Sequence, residues 1–97
     1  MTELTPADMQ QHMHQDDWVV VDVRQPWEFE EENLTDHNVP LHDIPGRLEE
    51  LEGWKDKHVV LYCNTGQNSL MACQLLEEAG FPNVYHLEGG IEAWKDA

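Results

Sequence analysis

The chain reads as one α/β domain over residues 1–97, with a mostly parallel sheet and helices on both of its faces. Three observations predict this. Strand-like and helix-like segments alternate along the chain. The apolar runs at 18–23 and 58–62 alternate too little for half-exposed strands, so they read as strands covered on both faces. Proline and glycine punctuate the segments, and no linker is long enough to separate two domains.

Thr5-Pro6 opens the first helix, with Thr5 as N-cap and Pro6 at the first helical position; the helix then runs from Ala7 to about His14. Trp18-Val19-Val20-Val21-Asp22-Val23 is the first strand, and Gln25-Pro26 breaks it. Trp27 to Glu32 is a short acidic helix with Pro26 at its start. Asn33 to Asn38 is polar and loop-like, and Val39-Pro40-Leu41 is a short strand piece. Asp43 or Pro45 opens a helix that passes through Leu51 and ends at Gly53. His58 to Tyr62 is a clear strand. Gln67 to Ala79 is the longest helix, closed by Gly80, with Leu70, Met71, Leu75 and Leu76 as its apolar face. Val84 to Leu87 is a further strand. Gly89-Gly90 turns the chain into a final helix, Ile91 to Lys95. Trp18, Trp27, Trp54 and Trp94 read as core or core-edge packing, not as a binding stripe.

Twenty acidic residues against five basic ones give a formal net charge of −15. That argues against nucleic acid, whose phosphates need Lys and Arg, and against anionic membrane surfaces. It favours solubility, and to a lesser degree basic partners, while a small anionic substrate approaches against the field at low salt. There is no 18-residue apolar span and no basic n-region, so a cytoplasmic location is the default. The six histidines form no H-E-x-x-H pair and no Cys-His zinc spacing, so no metal is expected. No cofactor is implied.

Two cysteines stand at 63 and 73. Cys73 falls inside the longest helix and reads as a small buried apolar residue, without a disulfide to Cys63. Cys63 is different. It ends an apolar strand and precedes a short loop, Asn64-Thr65-Gly66-Gln67-Asn68-Ser69, that leads straight into a helix. This order points backbone N–H groups and the positive end of a helix dipole at the thiol. Such a setting favours the thiolate, the reactive form of cysteine. It also lies at the carboxyl end of a strand, where ligands bind in open α/β sheets.

At this point the residues resemble a known family. Asp22-Val23-Arg24-Gln25-Pro26-Trp27-Glu28-Phe29, Cys63-Asn64-Thr65-Gly66-Gln67-Asn68-Ser69, Ala79-Gly80-Phe81-Pro82-Asn83-Val84 and Leu87-Glu88-Gly89-Gly90-Ile91-Glu92-Ala93-Trp94 resemble, in order and spacing, the signatures of rhodanese domains over about residues 5–95. The resemblance implies a rhodanese-like fold, a five-stranded parallel sheet flanked by helices. It implies a sulfurtransferase in which Cys63 takes sulfane sulfur from thiosulfate or a protein persulfide and passes it to a thiophilic acceptor. The backbone of Asn64, Thr65, Gly66, Gln67, Asn68 and Ser69 matches the loop that cradles the persulfide. The partners implied are a small sulfur donor or acceptor, or a persulfide-bearing protein. The alternative is a sulfur-carrier or protein-interaction module that does not turn over.

Two departures stand out. Many relatives carry a cation, often Arg, at the position of Asn68, and the loop here has no charged side chain. The family's usual stretch is also replaced and shortened at Glu32-Asn33-Leu34-Thr35-Asp36-His37. Arg47 is then the nearest candidate for a substrate-orienting cation, with a solvated helix position as the alternative. Asp22 and Arg24 read as structural, bonding each other or nearby backbone. Thr65 and Ser69 hydroxyls serve either as sulfur or oxyanion donors or as helix caps. Phosphoryl transfer from an ester needs an arginine six positions after the cysteine, and Ser69 stands there.

Overall fold

A computed structural model describes residues 1–97. Five parallel strands form the sheet: β1 (Thr2–Leu4), β2 (Trp18–Asp22), β3 (His37–Asn38), β4 (His58–Tyr62) and β5 (Val84–Leu87), in the order β1-β5-β4-β2-β3. The helices are α1 (Pro6–His12), α2 (Pro26–Glu31), α3 (Leu48–Leu51), α4 (Gln67–Glu78) and α5 (Gly90–Asp96). No helix is long and apolar enough to cross a membrane.

The uniform apolar runs do what covered strands must. Val19, Val21, Val59 and Leu61 face one layer with Ala72, Cys73 and Leu76 of α4 and Leu51 of α3. Val20, Val60 and Tyr62 face the other layer, with Met9 of α1 and Ile91 of α5. Fully burying one such aliphatic side chain stabilises the fold by about 1.5–3 kcal/mol, so the paired central strands β2 and β4 anchor both layers. Local signals agree at the ends. Thr5 caps α1 through a reciprocal capping box with Asp8, and Pro26 begins α2.

Five details differ from the sequence reading. Thr2–Leu4 is an edge strand, held by pairing with β5 from Thr2↔Tyr85 to Leu4↔Leu87; three residues with one apolar side chain carry no periodic signal. The strand beside β2 is His37–Asn38, not Val39–Leu41. Val39 and Leu41 N–H groups still bond Asp22 and Val23 carbonyls at 2.9 and 3.0 Å, but Pro40 between them has no N–H and the ladder stops. The expected helix through Leu51 is a string of single turns, Leu41–Asp43, Pro45–Arg47, α3 and Glu52–Trp54, and Gly53 lies inside the last of them. Helix α4 is also rotated from its expected phase. Ser69, Ala72, Cys73 and Leu76 are buried, whereas Leu70 and Met71 are 38% and 55% exposed. The small and polar residues face the sheet because the Cys63 loop sets where the helix begins. Trp27, expected at the core edge, is 62% exposed.

Candidate active site

Cys63 follows β4 and is buried, 4% exposed. The loop after it curls back over the sulfur. Gly66 N–H donates to Cys63 Sγ at 3.0 Å and Ser69 N–H at 3.4 Å, with Ser69 Oγ 3.5 Å from the same sulfur. Gly66 is the N-cap of α4 and has φ +111°, a left-handed conformation that glycine adopts cheaply. A Cβ there would also press on the His86 ring at 3.1 Å. The N-cap and the third residue of a 12-residue helix therefore each aim a free N–H at the sulfur. A dipole contribution of about 0.3–1 kcal/mol, and up to about 2 kcal/mol when partly buried, favours an anion there.

The other end of the loop is pinned by α5. Ile91 N–H bonds the Cys63 carbonyl at 2.9 Å and Glu92 N–H bonds the Asn64 carbonyl at 3.2 Å. Gly90, φ +65°, makes this approach possible, because a Cβ on it would collide with those two carbonyls.

A polar chain crosses from β2 to the loop. Arg24 Nη2 donates to Asp22 Oδ2 at 2.8 Å and its Nε donates to both Asp22 oxygens at 3.1 Å. Nη2 also donates to the Glu32 carbonyl, and Nη1 donates to Asn64 Oδ1 at 3.2 Å. Asn64 Nδ2 in turn donates to Glu28 Oε2 at 2.6 Å. Tyr62 Oη donates to Asp22 Oδ2 at 2.9 Å and accepts from Leu34 N–H. Burial works against the Arg24 charge, but the bond and the charge of Asp22 outweigh it and raise the guanidinium pKa. Burial raises the Tyr62 phenol, so it stays a neutral donor. The Asp22–Arg24 pair expected from the sequence is thus present, and it extends to the loop.

A cavity of about 170 Å³ opens beside Cys63. Asn64, Thr65, Gln67 and Asn68 line it together with Val23, Arg24, Gln25, Glu28, Leu41 and His42, while Gly66 and Ser69 lie beneath and touch the sulfur. Its size suits a small anion rather than a drug-sized ligand. Its one guanidinium, Arg24, is already neutralised by Asp22, and Glu28 adds negative charge. Arg47 is not at this cavity. It pairs with Glu50 at 2.7 Å and reaches the Asn38 carbonyl, and its side chain is 38% exposed. The chain of turns that replaces a long helix carries it away from the loop. A larger hollow of about 400 Å³ at Met13, Trp18, Leu34 and Asp36 holds no thiol.

Cys73 is fully buried and free, and burial, then the charge of Glu77, pushes its thiol up to about 12. It stays an inert thiol beside the Tyr85 carbonyl.

The sequence reading passed over Glu28, His42 and His86 as site residues. His86 was the detectable one. It sits two residues after Val84 on a buried strand, and a polar side chain on a core face needs a partner. Its Nδ1 lies 2.8 Å from Ser69 Oγ.

Comparison with known proteins bears on the family and the fold. The rhodanese-like domain family matches residues 5–97. An uncharacterised protein, slr1261, of Synechocystis is 43% identical over 97% of this chain, which spans about half (52%) of that protein's length. The thiosulfate sulfurtransferase GlpE of Coxiella burnetii is 40% identical over 81% of this chain and 73% of its own. The crystal structure of a rhodanese-related protein from Thermoplasma volcanium superposes with a TM-score of 0.87 at 27% identity, covering 99% of this chain and 92% of that one. With a five-stranded parallel sheet, a strand–cysteine–loop–helix junction and a family match over nearly its whole length, the chain belongs to the rhodanese-like domain family.

Proposed function

We propose that residues 1–97 form one rhodanese-like sulfurtransferase domain in which Cys63 carries sulfane sulfur. The observation that carries this reading is the convergence of Gly66 and Ser69 N–H groups on Cys63 Sγ at 3.0 and 3.4 Å, at the N-terminus of α4. Backbone donors at fixed positions suit a soft anion whose charge moves from thiolate to persulfide. In the first step the Cys63 thiolate attacks the sulfane sulfur of thiosulfate or of a protein persulfide. An S–S bond forms to Cys63, the donor's own S–S bond breaks, and sulfite or a thiolate leaves with the electron pair. In the second step an acceptor nucleophile, cyanide or a thiolate, attacks the outer sulfur and Cys63 leaves as thiolate. The two steps together need no outside oxidant or reductant.

The experiment is sulfur transfer from thiosulfate to cyanide, paired with the intact mass of the protein. Turnover and a one-sulfur adduct on the Cys63 peptide, both lost in Cys63→Ser, support the enzyme. A donor-dependent adduct with negligible turnover supports a second reading, a sulfur carrier that serves protein partners. That reading is favoured by one feature: the cavity's guanidinium is committed to Asp22, so free thiosulfate has no uncommitted cation to meet. No adduct from thiosulfate or from a persulfide-bearing protein overturns both.

A further inference from the structure

Ser69 Oγ is the meeting point of three groups. It lies 3.5 Å from Cys63 Sγ, 3.2 Å from the Gly66 carbonyl and 2.8 Å from His86 Nδ1. The hydroxyl has one proton to give. The Gly66 carbonyl can only accept. If Nδ1 also accepts, the ring takes that proton and the sulfur anion faces a lone pair. If Nδ1 carries the hydrogen, the ring donates to Oγ and only the Gly66 carbonyl and the sulfur compete for the hydroxyl proton; the full negative charge of a thiolate or persulfide draws it to the sulfur. We propose that His86 is a positioning residue for sulfur transfer: its Nδ1–H holds Ser69 from behind and turns the Ser69 hydroxyl onto the Cys63 thiolate or persulfide.

The surroundings suit this task. His86 is 4% exposed, in the middle of the sheet, in register with Leu61 of β4 and Glu3 of β1. The only hydrogen bond of its imidazole within the protein is to Ser69. Burial lowers the imidazole pKa against the opposing charges of Glu3 and Glu88, so the ring is neutral at pH 7 with a single N–H to place. Ring atoms Cε1 and Nε2 would lie 3.1 and 3.3 Å from a Cβ on Gly66, so the imidazole is clamped under the loop whose N–H groups bind the sulfur.

The inference rests on reading Cys63 as the sulfur-accepting thiolate. It is therefore tested without a sulfur donor, by the rate of Cys63 alkylation with iodoacetamide at pH 7, followed on the Cys63 peptide so that Cys73 does not contribute. Losing a hydrogen bond to the anion lowers the thiolate population about tenfold. The freed thiolate regains about threefold in nucleophilicity, so the net rate falls about threefold. His86→Val is expected to show that fall, Ser69→Ala the same fall, and the double variant no more than either. His86→Asn, whose amide can donate to Ser69, is expected to return to the wild-type rate. An unchanged rate in His86→Val, additive losses in the double variant, or His86→Asn as slow as His86→Val each overturns the proposal. A measurement on the unsubstituted protein guards against variants that fail to fold. The ¹⁵N spectrum of His86 at pH 8 should show the proton on Nδ1, and a ring protonated on Nε2 alone overturns the proposal. Failure of sulfur transfer with these results intact would count against the sulfurtransferase reading and leave the role of His86 standing.

Discussion

Past the carboxyl ends of the neighbouring strands β2 and β4, Arg24 donates to Asn64 at 3.2 Å, joining two residues 40 positions apart. One side chain thereby ties the end of β2 to the first residue of the loop that follows Cys63. The same guanidinium neutralises Asp22, which is fully buried. Stability of the fold and placement of the loop share one residue.

Arg24→Leu should therefore cost about 3 kcal/mol, because it leaves Asp22 as an unpaired buried charge. For a chain of this size that corresponds to a fall in Tm of roughly 12–24 °C. Chemical denaturation checks it, and a loss below about 1 kcal/mol would mean that Asp22 is satisfied by Tyr62 and backbone alone. Arg47→Ala makes the contrast. Its half-exposed pair with Glu50 should contribute under about 1 kcal/mol, and turnover should stay within about twofold of wild type.

Gly66→Ala should reduce sulfur transfer by at least about tenfold. A non-glycine residue at φ +111° carries a backbone cost on the order of 1–3 kcal/mol, and its Cβ would press on His86. The loop relieves both by turning, which takes the Gly66 N–H off the sulfur. Steady-state kinetics on folded protein decides it; a variant with normal turnover would show that the 3.0 Å contact does not hold the reacting anion.

Asn68→Arg should lower the KM for thiosulfate several-fold. Asn68 lines the cavity and is exposed, so the new guanidinium would have no carboxylate already assigned to it and can form a charge-assisted contact to the oxyanion. In the unsubstituted protein, with a net charge of −15, raising salt at fixed subsaturating thiosulfate should raise the rate, since screening weakens the repulsion of the anion. A rate that falls or stays flat with salt would remove electrostatic exclusion as the limit on access.

Cys73 gives a pH signature in stability. Burial moves its thiol from 9.0 up to about 12 in the folded chain, so the unfolded chain loses that proton first as pH rises. The contribution is whole below about pH 9 and is lost between about pH 9 and 12, up to on the order of 4 kcal/mol. Tyr62, also raised by burial, loses stability in the same direction from about pH 10 upward. Cys73→Ala should flatten the alkaline limb of the stability–pH curve, and identical limbs in the two proteins would refute it.

The order of elements was legible because it is written locally. Val19–Val21 and Val59–Leu61 announce covered strands by composition, Thr5-Pro6 and Pro26 announce helix starts, and Cys63 before a Gly-containing loop announces a strand–loop–helix junction. Segments with weak local signals were misread: Thr2–Leu4 becomes a strand only when β5 lies beside it, and Pro40 stops a ladder that Val39 and Leu41 had suggested. The phase of α4 was misread because hydrophobicity favoured Leu70 and Met71, whereas the turn at Gly66 directs Ser69 and Ala72 inward.

By itself, then, the sequence determined the α/β alternation, the cysteine at the carboxyl end of a strand, the absence of charge in its loop and the acidic character of the whole. Only the tertiary structure decided which side chains meet that loop. Arg24 with Asn64, Asn64 with Glu28 and Ser69 with His86 are contacts across 40, 36 and 17 residues, and Arg47 is turned away to Glu50. Backbone conformation follows from a few neighbouring residues, but such contacts depend on strand order and register, which are set when the sheet closes and both of its faces are buried.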